Sequence, residues 1–416
     1  MISRISATYH EFPAKFWVLM GAVFIDNIGR TILQPFFALY VTQRFNVGMT
    51  EAGALFAVFS VTGFAGNMLG GALTDRFGRK GMILFGLVFS ALTSLSMGFA
   101  TQLSTFYILA ATVGLLSDIA GPAHGAMVAD LLPEEKRAEG FGLWRVVANI
   151  SWIIGPMVGG LLAARSYLLL FVVDATFSLI TAVIFARAIS ETRPQATEVG
   201  QRETMAQTFA GYRRVVADGG FVAFLMTAAL MNLVYLQLYS TLSVYLRDVH
   251  NISTRAYGVL LSTNASMVVL TQFWVTRQTR RYRPMVMMAL GSLLYMIGFS
   301  MYGLVSAYWL FVLAMLIITV GEMVVMPVFQ ALVARLAPED MRGRYMAIAG
   351  VAWGLPHAIG PWGAGLILDN YNPNWVWYLG GILAAVAAAG YLLLEARMKE
   401  RLTKPPMPEP APMPSS

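Results

Sequence analysis

Four acidic residues stand inside long apolar runs of this chain: Asp26, Asp118, Asp174 and Glu322. A charged side chain at the centre of a bilayer costs about 2.5–3.5 kcal/mol on insertion scales, so each of them needs a reason to be there. A carboxyl group against an apolar wall can load and release a proton near neutral pH, and when ionised it attracts a cation. Glu322 is the first candidate for such a proton carrier, since Met323, Val324, Met326 and Phe329 give it an apolar surrounding. Asp118 is a second. Asp26 stands four residues before Arg30, on the same helix face. Either the two form a neutral internal pair, or protonation of Asp26 frees Arg30 for another partner. Asp174 comes only seven residues after Tyr167, near one end of its apolar run, and is expected to be structural. His124 and His357 invite a proton relay, but a lone membrane histidine is more often an interhelical contact. The chain has four histidines without metal-ligand spacing, so no metal is expected.

The elements that must hold these residues are membrane helices. Of 416 residues, 57% are hydrophobic and 12% charged, where a soluble protein has about 25% charged. Several apolar runs exceed the roughly 18 residues that mark a membrane span, which excludes a single soluble core. The net charge of +7 falls in short loops between these runs, a topology signal rather than a nucleic-acid surface. Without cysteine there is no disulfide, thiol catalysis or thiolate metal site. No cleavable signal pattern precedes the first run, so the first helix is expected to insert directly. Twelve helices are read, starting near Phe16, Ala52, Met82, Phe106, Phe141, Tyr167, Phe221, Tyr257, Met285, Trp309, Ala347 and Trp375. This predicts an all-α membrane protein of two six-helix bundles, 1–190 and 220–396. A polar cytoplasmic linker, 191–219, joins them, and a Pro-rich tail, 397–416, is expected to be disordered. Of the 29 Lys and Arg, only Arg44, Arg165, Arg247 and Arg255 fall in odd-numbered loops, so both termini are expected to be cytoplasmic.

The halves repeat. Ala129-Asp-Leu-Leu-Pro-Glu-Glu-Lys-Arg137 aligns with Ala334-Arg-Leu-Ala-Pro-Glu-Asp-Met-Arg342 at a shift of 205 residues. The same shift takes Gly155 and Pro156 to Gly360 and Pro361, Gly160 to Gly365, Gly53 to Gly258 and Asn27 to Asn232. It sets Glu322 opposite Ser117, next to Asp118. Two related bundles in parallel repeat follow.

Two motifs carry a resemblance. Between helices 2 and 3 runs Gly70-Gly-Ala-Leu-Thr-Asp-Arg-Phe-Gly-Arg-Lys80. Its Gly71, Asp75, Gly78, Arg79 and Lys80 resemble the loop signature of the major facilitator superfamily. In helix 5, Gly155-Pro156-Met157-Val158-Gly159-Gly160 is similar to the motif of that superfamily's drug–proton antiporters. Asp26, Gly29 and Pro35 are similar to the first-helix pattern of the same exporters, and the stretch from Gly321 to Arg342 also resembles them. Where those exporters often carry an arginine in the middle of helix 4, this chain has Asp118.

The resemblance implies alternating access around a cavity lined by helices 1, 4, 7 and 10. Its substrate wall would include Asn27, Arg30, Gln34, Asn232, Tyr235, Gln237, Tyr239, Met326 and Phe329, with Glu322, Asp118 and Asp26 handling protons. Asp75, Arg79, Asp130, Arg137 and Arg145 would form a charge cluster at the inner gate. Each exposed pair is worth about 0–1 kcal/mol. Several together can bias a rocking equilibrium of a few kcal/mol. The expected function is proton-coupled efflux of lipophilic drugs, cationic ones included, from a bacterial inner membrane. A nutrient symporter, or an exporter of a lipid or glycolipid, is the alternative. Without a phosphate-binding loop, ATP drive is not expected. The expected protein is no enzyme. Its coupling ion is the proton, it has no cofactor, and its partners are a small-molecule substrate and the bilayer. It works as a monomer without nucleic acid or an obligatory protein partner.

Overall fold

The structure, a computed structural model, describes residues 11–192, 212–279, 281–338 and 341–403, less the side chains of 71, 72, 75, 138, 342, 343 and 400–403. Among the described residues there are helices and turns and no strand. A helix satisfies its own backbone N–H and C=O groups, as lipid requires. The first half holds α1 (Ala14–Leu33, a 3₁₀ turn Gln34–Phe36, then Phe37–Phe45), α2 (Met49–Phe77) and α3 (Arg79–Phe99). It continues with α4 (Leu103–Asp118, then Gly121–Leu131), α5 (Glu134–Ala163) and α6 (Leu168–Ala188). The second half holds α7 (Gly219–Tyr235, a 3₁₀ turn Leu236–Tyr239, then Thr241–His250), α8 (Thr254–Thr279) and α9 (Pro284–Leu304). It ends with α10 (Tyr308–Leu336), α11 (Arg342–Ala349, then Val351–Asn370) and α12 (Trp375–Thr403).

Eleven described rods are long and apolar enough to cross a membrane. The other rod is α11, which breaks at Gly350 and carries Pro356, His357 and Pro361. It packs along α2, but by length and apolarity eleven of the twelve spans expected from the sequence are met among the described residues. Most of the expected linker (193–211) and the tail from 404 lie outside the described residues. The last helix runs to Thr403, beyond the boundary expected at 396, because Ala396 to Leu402 are good helix formers and the first proline comes only at Pro405.

The repeat is visible in the packing. Helix α3 lies on α6 as α9 lies on α12, α2 on α4 as α8 on α10, and α1 on α5 as α7 on α11. Asn46 and Asn251, 205 residues apart, end α1 and α7 with the same left-handed turn, at φ 52° and 54°. Asparagine is among the few residues that accept this conformation.

Between the bundles α2 lies along α11 and α5 along α8. Glycines make both crossings, as expected where membrane helices approach closely. A Cβ on Gly258 would collide with the Pro156 carbonyl, and one on Gly53 would stand 2.5 Å from the Pro361 carbonyl oxygen. Gly160 meets Thr254 and Arg255 as Gly365 meets Met49 and Thr50. We call the end where α2 and α8 begin distal. There Met49, Ala52 and Leu55 of α2 and Tyr257 and Leu260 of α8 are buried. Toward the proximal end of the same two helices Phe64, Met68, Leu270, Phe273 and Trp274 are exposed. Among the described residues, hydrogen bonds that join the bundles include Ser262 Oγ to the Ile153 carbonyl (2.9 Å) and Ser60 Oγ with His357 Nδ1 (2.8 Å), in the distal half and the middle. The bundles thus meet distally and part toward the proximal end.

Candidate functional site

Two neighbouring cavities lie in the interior, and Gln34, Phe56 and His357 line both. The smaller one, about 300 Å³, is built around Glu322 in the middle of α10. Tyr235 of α7 donates its hydroxyl to Glu322 Oε1 (2.9 Å), and Asn264 Nδ2 of α8 donates to Oε2 (2.9 Å). Asn264 is itself set by Thr319 Oγ1 at 2.8 Å. The Tyr235 and Tyr239 hydroxyls lie 3.0 Å apart across the start of the α7 turn. Trp152 meets Tyr239 edge-on, with ring centroids 4.9 Å apart. Trp353 stands perpendicular to Tyr235. The result is a carboxylate in an aromatic wall, with a donor on each oxygen. Hydrogen bonds to charged groups are the stronger kind. Such donors hold the ionised carboxylate in place, and protonation removes the charge that they serve.

The larger cavity, about 520 Å³, belongs mainly to the first bundle. Arg30 Nη2 reaches Asp26 Oδ2 at 3.2 Å, and Ser178 Oγ of α6 donates to Asp26 Oδ1 at 3.0 Å. The Arg30 side chain remains 65% accessible, and what it exposes is cavity wall. Asp118 and Asp174 line the same cavity. Asp118 is the last residue before α4 breaks, and Gly63 of α2 leaves room for its carboxylate. Asp174 is buried against Gly29, where a Cβ would stand 3.1 Å from its Oδ1. One guanidinium and three carboxylates therefore line one cavity.

Asp26, Asn27, Arg30, Gln34 and Asp118 line the larger cavity, and Tyr235, Tyr239, Met326 and Glu322 the smaller, as the sequence suggests. Three expected wall residues are elsewhere. Asn232 is 2% exposed and ties α7 to α11 through the Ala352 carbonyl at 2.7 Å. Gln237 is spent inside the turn of α7, accepting from Thr241 Oγ1 at 2.6 Å. Phe329 stacks on Phe224 in the core of the second bundle. Asp174, expected near a helix end as a structural residue, lines the larger cavity, which reaches that far. Asn264 has no signal of its own in the sequence, whereas Gly121-Pro122 marks the break in α4.

At the proximal end Arg79 Nε meets Asp130 Oδ2 at 3.0 Å, and Thr192 Oγ1 donates to the same oxygen. Glu191 accepts from the backbone N–H groups of Arg79 (2.9 Å) and Lys80 (3.1 Å), capping α3 behind Gly78 at φ 89°. Lys80 Nζ donates to the Ala186 carbonyl, and Arg137 Nε to the Ala129 carbonyl, so Arg137 serves the backbone rather than an acid. Arg145 is exposed on α5. The Asp75 side chain lies outside the described residues, and Gly71 is described as part of the α2 backbone. In α5, Gly155 and Gly159 pack against Thr31, Ile32 and Phe36 of α1, while Pro156 and Gly160 face α8.

Comparisons with known proteins agree with this architecture. A "Na(+), Li(+), K(+)/H(+) antiporter" of Planococcus maritimus is 26% identical over 370 residues, covering 82% of this chain and 87% of that protein. The "Multidrug resistance protein MdtH" of Salmonella paratyphi C is 23% identical over 396 residues, 93% of this chain and 92% of that one. Among solved structures, a bacterial homologue of the human lysosomal transporter Spinster, in an inward-facing and unoccupied conformation, superposes with a TM-score of 0.74. It shares 16% identity and covers 94% of this chain and 98% of that one, a likeness of fold alone. The family model described as "Major Facilitator Superfamily" matches residues 19–361 and 251–415, and this multi-pass membrane protein belongs to that superfamily.

Proposed function

We propose that the chain is a secondary transporter that exports lipophilic small molecules, cationic ones among them, in exchange for protons by alternating access. On this reading it sits in a bacterial inner membrane with both termini cytoplasmic, acts as one chain and takes no cofactor beyond the proton. The observation that carries the reading is Glu322: a carboxylate in the middle of an apolar helix, in an aromatic wall, with one donor from each of two other helices. Such a group can exchange a proton for an organic cation, whose charge also suits the neighbouring aromatic faces. The multidrug-resistance name of one relative supports it.

The test is accumulation of a fluorescent lipophilic cation in efflux-deficient bacteria, wild type against Glu322→Gln, with and without a protonophore. Lower accumulation in wild-type cells is expected, lost with the protonophore and lost in Glu322→Gln. Accumulation equal to that of empty cells over a panel of cationic and neutral dyes would count against export. A second reading, alkali-cation/proton antiport, is favoured by the name of the Planococcus maritimus relative and by the three carboxylates in the cavity that Arg30 lines. Under it, Na⁺, Li⁺ or K⁺ added to acid-loaded inverted vesicles would raise the internal pH, and Glu322→Gln vesicles would be compared in the same assay.

A further inference from the structure

The start of α2 is capped from the other bundle. Asp369, at the distal end of α11, accepts from Met49 N (2.9 Å), Thr50 N (2.7 Å) and Thr50 Oγ1 (2.6 Å). Helix N-termini leave backbone N–H groups without partners, and a carboxylate there gains both hydrogen bonds and the helix dipole. A helix can take such a cap from its own preceding residue. The repeat shows that this one could have. Ser253, the first bundle's Gly48 shifted by 205, caps α8 locally, its Oγ accepting from Ala256 N at 3.3 Å. Gly48 has no side chain to offer, and a Cβ there would run into the Asp369 carboxylate. The residue that repeats Asp369 in the first bundle is Ala164. So only one of the two pseudo-equivalent crossings, α2 with α11, carries a carboxylate latch. A second distal bond, Arg247 Nη1 to Thr42 Oγ1 (3.1 Å), joins two residues that are themselves 205 apart and so lies near the pseudo-twofold axis. No described hydrogen bond of this capping kind joins α5 to α8.

We infer that Asp369 is a latch which holds the distal side closed by capping α2 across the bundle interface, and that Gly48 is glycine so that the latch can seat. When the bundles part distally, α2 loses its cap to water and Asp369 is freed. The equilibrium between the two states is then weighted toward distal closure by the value of one cap.

The chain has no cysteine, so Ser262→Cys gives a clean reporter in the buried face where α8 meets α5. Its labelling by a membrane-impermeant maleimide from the distal side measures opening and needs no substrate, so the result is independent of the export reading. Asp369→Ala in this background is expected to raise the labelling rate roughly three- to thirtyfold, the range that losing a helix cap spans. Gly48→Ser, which gives α2 its own cap and evicts Asp369, should raise it as well. The double variant should label no faster than the faster single one, because both remove the same contact. A folded Asp369→Ala protein that labels at the parent rate would overturn the latch. So would a double variant whose effects multiply, since that is what unrelated losses of stability produce. If Asp369→Ala does not fold, Gly48→Ser decides alone, and a parent rate there overturns it.

Discussion

Glu322 sits in α10 with one donor on each carboxylate oxygen, Tyr235 on Oε1 and Asn264 on Oε2. An acid in the middle of an apolar run announces itself through its insertion cost. Asn264 and Tyr235 do not, since a single asparagine or tyrosine in a membrane helix is ordinary, and only the fold brings them to within 2.9 Å of the carboxylate. Asn232 and Gln237 could, by type and helix, equally face a cavity or a neighbour. Buried hydrogen bonds hold Asn232 against α11 and Gln237 within α7. The Glu322 setting makes a graded prediction. A hydrogen bond to a charged group is worth about 1.5–3 kcal/mol, so Asn264→Ala should lower the initial rate of protonophore-sensitive dye export at least tenfold. Thr319→Val removes the contact that orients Asn264, together with a bond to the Met315 carbonyl one turn back in α10, but leaves Asn264 on Glu322 and should cost several-fold less. Equal losses in the two variants would mean that Asn264 acts through packing and not through Glu322.

At the scale of the helix, the sequence carries its information in small residues. Gly53 and Gly258, paired by the repeat, each place backbone against the carbonyl of Pro361 or Pro156 in the opposite bundle. A carbonyl cannot swing aside as a flexible side chain can, and forced overpacking costs about 1–3 kcal/mol. Gly53→Ala and Gly258→Ala should therefore both lower the melting temperature in detergent and both reduce export. Gly363→Ala is the control. It lies in the same helix as Pro361 and would meet nothing within 4 Å, so a gain of roughly 0.5–1 kcal/mol is expected there. The same loss at all three positions would show only that α2, α8 and α11 tolerate no change. Helix breaks were less legible. Gly121-Pro122 signals the one in α4. The turn at Leu236–Tyr239 has neither glycine nor proline and is stabilised by contacts instead: Thr241 with Gln237, and Tyr235 with Glu322.

For the whole molecule, the 205-residue repeat stood in the sequence, and the paired packing of the two bundles follows it down to the left-handed turns at Asn46 and Asn251. Which end is closed did not stand there. One buried apolar cluster runs from Phe36 and Leu55 of the first bundle to Tyr257 and Leu260 of the second, and hydrogen bonds such as Ser60 with His357 and Ser262 with Ile153 join the two beside it. Alternating access requires that the distal contacts open in every cycle. Joining α5 to α8 there should therefore stop transport without unfolding the protein. With no native thiol to interfere, the pair Ile153→Cys and Ser262→Cys can be bridged by a short, reducible cross-linker. The bridged protein should lose dye export, keep or raise its melting temperature, and recover export on reduction. The unbridged pair and each single variant should export. A ligand reaching the cavities from the proximal side should still bind the bridged form, because the bridge fixes the end that is already shut. Export that continued through the bridge would mean that the distal crossing of α5 and α8 is static, and that substrate leaves by some path other than the parting of the two bundles.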